Sequence, residues 1–183
     1  MTVDDLWVES PSDRARLTER GLPEPFQADT FEFWKSTCPS GGLPHMREID
    51  PVNMPIKALP WVNLIKVEGP PWRFQIRIWG NGLTAAAGEN LAGVWHDDAG
   101  MTEGIRRLSH VVEHKVPYFA TLPMYWHSEK YKHSTHMTSL GMPFLGDDGT
   151  VRRILLIMSI DPPEWAASEQ NFHRNDMRSP LVY

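Results

Sequence analysis

A single cysteine, Cys38, among 183 residues leaves no intramolecular disulfide and no multi-cysteine zinc or iron–sulfur cage. Basic charge is also scarce: 18 Lys and Arg stand against 23 Asp and Glu, a net charge of −5. That balance gives no drive for counterion release on a nucleic-acid backbone, and the basic clusters (Arg106-Arg107, Lys130-Tyr131-Lys132, Arg152-Arg153) are short. No apolar run approaches the roughly 20 residues that cross a bilayer as a helix. The start, Met1-Thr2-Val3-Asp4-Asp5-Leu6-Trp7, is acidic and lacks the basic-then-apolar pattern of a signal peptide. Neither nucleic acid nor membrane is expected as a partner, and the cytoplasm is the expected compartment. What the chain holds in quantity is bulk and punctuation: eight tryptophans and sixteen prolines in a composition that is 41% hydrophobic. Such a composition suits a fold of short elements with large side chains between them.

Residues 1–27 are polar, interrupted by Pro11, Pro23 and Pro25, and read as an N-terminal extension with one short helix over 13–20. Asp29 or Thr30 can cap a helix from Phe31 to Thr37, and a further short helix is expected after Asp50-Pro51. Trp61 to Glu68 and Arg73 to Gly80 alternate with a period of two around Gly69-Pro70-Pro71, which predicts a hairpin with Phe74, Ile76 and Ile78 on one face. Asn81 can cap a short helix from Gly82 to Ala87, closed by Gly88. Met101 to Lys115 predicts the longest helix, with Ile105, Leu108, Val111 and Val112 on one side and His110 and His114 on the other, facing solvent. Strands follow over 117–127, 133–145 and 151–161, the last two joined at Gly146-Asp147-Asp148-Gly149. Ile154 to Met158 are apolar in succession, so this last strand is expected to be buried on both faces and central, beside 61–68. The core domain spans 28–163 and a polar tail covers 164–183.

Two strands, a helical segment and three strands do not alternate as a parallel α/β fold does. They predict an α+β fold: a five-stranded antiparallel sheet with short helices across one face and the N-terminal helices docked beside it. The order is similar to that of PAS domains. Trp34, Gly42-Leu43-Pro44, Ile49-Asp50-Pro51 and Leu59-Pro60-Trp61-Val62 resemble the opening of a bacterial single-domain PAS family found largely in alphaproteobacteria. Arg73-Phe74-Gln75-Ile76-Arg77-Ile78-Trp79-Gly80 resembles its second strand, and Gly88-Glu89-Asn90-Leu91-Ala92-Gly93 its helical entry. The resemblance covers about residues 30–160. It implies a sensory or signalling module that binds a small molecule or a partner protein and catalyses nothing. It names no ligand.

In such a fold the apolar side of the long helix meets the sheet, and the expected ligand pocket lies between them. It would be lined by Ile76, Ile78, Leu108, Val112, Tyr118, Trp126 and Met142. The same residues can instead simply fill a core, which would make the chain a protein-interaction adaptor. A haem sensor or a small-molecule enzyme is the remaining alternative. Gly80-Asn81-Gly82-Leu83-Thr84-Ala85 fits G-x-G-x-x-A, but no second parallel strand follows it, so its glycines are expected to serve close packing. His133 and His136 fall on opposite faces of a strand and cannot converge on a metal. Asp97-Asp98 and Asp147-Asp148 read as turn formers, and no nucleophile elbow surrounds any serine. No cofactor is expected. No kinase, cyclase or DNA-binding segment is read in the remaining residues, so output is expected through an unknown signalling protein or through a homodimer. The expected dimer uses the N-terminal region, where Trp7, Leu17 and Phe26 lie outside the core pattern, or an outer sheet face.

Overall fold

The computed structural model describes residues 2–123 and 136–160. Two helices, α1 (Pro11–Arg20) and α2 (Pro25–Thr37), precede a hairpin of β1 (Val62–Glu68) and β2 (Arg73–Trp79). Two more helices, α3 (Asn81–Ala87) and α4 (Thr102–His114), lead to β3 (Tyr118–Pro123), β4 (His136–Leu145) and β5 (Val151–Ile160). The strands form one antiparallel sheet in the order β2-β1-β5-β4-β3. The apolar run Ile154 to Met158 thus occupies the central strand beside β1, buried on both sides as its composition requires. The outer parts of the expected strands, at 124–127, 133–135 and 161, lie outside the described residues, as does the expected tail at 164–183.

Proline explains where the local expectations shift. Pro25 occupies the first turn of α2, where its missing N–H leaves no hydrogen bond unmade, so the helix begins six residues before Phe31. Thr30 lies inside the helix and donates its hydroxyl to the Phe26 carbonyl instead of capping. The segment after Pro51 forms turns, not a helix. Gly88 closes α3 at φ 86°, as expected.

Residues of the segment 1–27 pack into the same core as the strands. Leu6 and Leu17 belong to the core, and Trp7 and Phe26 pack against it. Leu17 is buried, while Trp7 and Phe26 keep partial exposure. The N-terminal segment also closes the β3 edge of the sheet. Trp7 accepts the Phe119 N–H at 3.0 Å, and the buried Asp13 carboxylate accepts the Thr121 N–H at 3.1 Å. The opposite edge is closed by the loop before α4: Ile76 N–H donates to Val94, and Gly93 and His96 N–H groups donate to the Ile76 and Phe74 carbonyls. An exposed strand edge invites further strands, and here both edges carry partners.

The two faces of the sheet are covered unequally. On the outer face, α2 lies against β4 and β5. Gln27, fully buried, donates to Thr138 Oγ1 at 3.1 Å and to the Ile157 carbonyl at 3.0 Å, and Trp34 donates its indole N–H to the Pro143 carbonyl at 3.1 Å. The helical face lies under α4, which contacts β2.

Candidate functional site

Cross-strand register decides which residues share the helical face, because partners directly opposite one another point the same way. One row runs through Trp79, Asn63, Leu156, Gly141 and Tyr118, and the next through Ile76, Ile65, Ile154 and Pro143. Trp7 links this face to α4, its ring stacked 3.8 Å from the His110 ring and edge-on to Tyr118 at 6.4 Å. Farther along, a Cβ at Gly104 of α4 would stand 3.2 Å from His96 Nδ1, and the His96 ring lies 6.3 Å from that of Phe74. From the α4 side, Leu108, Val111 and Val112 are buried.

Four of the expected pocket residues therefore occupy one layer: Ile76 and Tyr118 from the sheet, Leu108 and Val112 from α4. Two do not. Ile78 is 46% exposed on the outer face, because a bulge pairs Ile65 with Ile76 and Leu64 with Ile78, leaving Arg77 as an extra residue. That extra residue reverses the alternation and turns Trp79 inward. Met142 pairs with Leu155 and sits on the α2 face with Leu140 and Thr138, so the sheet separates it from Ile76. Trp126 lies outside the described residues.

The layer is closed where it was expected to open. Ile76, Leu108, Val112 and Tyr118 keep 1%, 2%, 4% and 3% of their surface, so almost nothing beside them is reachable by even a water molecule. Tyr118 accounts for much of the filling. A Cβ at Gly141 would lie 2.1 Å from Tyr118 Cε1, so only glycine lets the ring lie flat across β4. Its hydroxyl then meets Ser139 Oγ at 2.9 Å, and burial pushes the phenol's pKa up despite that bond. A glycine inside a strand was the sequence signal for this close approach.

Two polar groups in the layer have no hydrogen-bond partner: Asn63 Oδ1 and both ring nitrogens of His96. Burial drives the His96 pKa down to about 4, only partly opposed by the neighbouring Asp97 carboxylate. The imidazole is therefore neutral at ordinary pH. His110, expected to face solvent, is half-buried beneath Trp7 and has its pKa lowered first by that burial and then by His114. His114 is exposed.

The other chemistry-bearing motifs have structural partners. Cβ atoms at Gly80 and Gly82 would stand 2.2 and 2.8 Å from the Pro60 carbonyl oxygen, so the G-x-G turn exists to pack α3 on residues 59–61. Asp97 pairs with Arg73 at 2.6 Å, and Asp148 holds Thr150 and Arg152 within its turn. Among the described residues, no three His, Cys, Asp or Glu gather as a metal site, and no helix is long and apolar enough to cross a membrane. An open groove of about 460 Å³ lies elsewhere, where Lys66, Arg152 and Arg153 meet Glu68, Asp147 and Asp148. The chain matches no protein-family model, no curated protein and no solved structure.

Proposed function

We propose that this chain is a PAS-type sensory or signalling module that acts by binding, not by catalysis, and that its binding partner is a protein. The observation that carries this reading is the unequal covering of the sheet. Both edges are closed, the helical layer is packed, and α2 covers the outer face at β4 and β5. Beyond α2, the outer face carries Ile78 in the open on β2. The element order, with β5 between β1 and β4, supports the PAS-type reading. A packed layer favours the adaptor form over a small-molecule receptor. The unpartnered Asn63 and His96 groups favour the receptor, since buried polar atoms without partners are where a ligand's polar groups fit.

Val112→Phe separates the two forms. In a packed layer the larger ring should destabilise the protein by about 1–3 kcal/mol in chemical unfolding. A variant as stable as the wild type would reveal room beside α4, and the adaptor form would then fail.

A further inference from the structure

Among the described residues most arginines are paired. Arg16, Arg20, Arg47, Arg73, Arg106, Arg107 and Arg152 each meet a carboxylate, and Arg14 meets backbone carbonyls. Among the described residues, Arg77 and Arg153 have no carboxylate partner. Arg77 sits in the β2 bulge and Arg153 on β5, with β1 between them, and partial burial and then the charge of Arg77 lower the pKa of Arg153. The Arg153 guanidinium donates to the Arg152 carbonyl at 2.7 Å. In a chain with an excess of acids, two guanidinium groups without a carboxylate partner, within reach of each other's charge, are an unfavourable arrangement that an external carboxylate would relieve.

Their position adds an apolar element. The bulge places Arg77 beside Ile78 on the outer face, and Arg153 lies opposite Lys66 one strand further in. Lys66 is already paired with Glu68. The open groove of about 460 Å³ includes Arg153 in its lining together with Glu68, Asp147 and Asp148, and these three carboxylates are already paired with Lys66, Arg47 and Arg152. We propose that this uncovered part of the sheet binds an acidic segment of a partner protein, with Arg77 and Arg153 receiving its carboxylates and Ile78 an apolar side chain. The proposal rests on the reading of the chain as a partner-binding module and adds the chemistry of the partner.

The test uses the full chain and three labelled peptides of about ten residues, the length of a short docking segment. All share a central leucine, set among glutamates, glutamines or lysines. In fluorescence anisotropy the glutamate peptide should bind at least about tenfold more tightly than the glutamine peptide, as charge-assisted hydrogen bonds predict. The preference should shrink as salt is raised and vanish in the double variant Arg77→Gln, Arg153→Gln. Ile78→Asp should abolish binding, and all variants should unfold at the wild-type midpoint. Equal binding of the glutamate and glutamine peptides would overturn the proposal, as would full binding by the double variant. Displacement by inorganic phosphate at matching concentrations would show a free-anion site, and a dimer in sedimentation lost in the double variant would show a second copy as the occupant. Either would overturn it too. Because Val112→Phe probes the packed layer alone, the charge inference can fail while the adaptor reading stands.

Discussion

The outer face of the sheet holds two halves with similar strands and opposite fates. Over β4 and β5 it meets α2, where Gln27 and Trp34 satisfy strand oxygens and exclude solvent. Over β1 and β2 it carries Arg77, Ile78 and Lys66, none of them beneath a helix. The covered half is apolar through Leu140, Met142, Leu155 and Ile157, all at or near complete burial. The β1–β2 half is mixed: Val62 and Leu64 on β1 are buried, while Ile78 is exposed on β2 among Lys66, Gln75 and Arg77. Apolar composition is what holds a helix over a sheet, so the part around Ile78 lacks the means to retain one. Its charges mark a surface that remains available.

Mutations should break this comparison in proportion to cover. Trp34→Ala removes a fully buried indole and its hydrogen bond to Pro143, and should cost about 3–5 kcal/mol in urea unfolding. Ile78→Ser, in the uncovered half, should stay within about 0.5 kcal/mol of wild type in the same experiment. Equal losses at the two positions would mean that something covers the β1–β2 half.

The pH response reports the opposite side of the sheet. His96 has a folded pKa of about 4 against an ordinary 6.5, so the unfolded chain takes up the proton first. Stability from this group is full above about pH 6.5, declines as pH falls, and levels off near pH 4 after a loss of about 3 kcal/mol. His96→Leu should remove that contribution, so wild type should lose more stability than the variant between pH 7 and pH 5. Parallel curves for the two proteins would show the imidazole to be solvated or paired.

Much of the architecture was legible. The continuous apolar run Ile154 to Met158 predicted a central strand, and the single apolar stripe of residues 101–115 predicted a helix with one buried side. The site was less legible, for reasons of phase. One extra residue at Arg77 reversed Ile78, and period-two patterning carries no mark of a bulge. In β4 nearly every side chain is buried, so alternation could not say whether Met142 or Pro143 faces α4. Asp13 and Gln27 look like surface residues in a polar stretch. Only the fold brings them to Thr121 and Thr138, each more than a hundred residues away. Gly141 was a readable signal, since a glycine inside an apolar strand marks a close approach, here that of the Tyr118 ring.

Native mass spectrometry of the purified protein tests the closed layer, on which the adaptor reading depends, most directly. The folded species should carry the mass of the polypeptide alone, because Ile76, Leu108, Val112 and Tyr118 leave no room for a guest. A folded species heavier by a stoichiometric small molecule, released on unfolding, would contradict it and move the binding site inside.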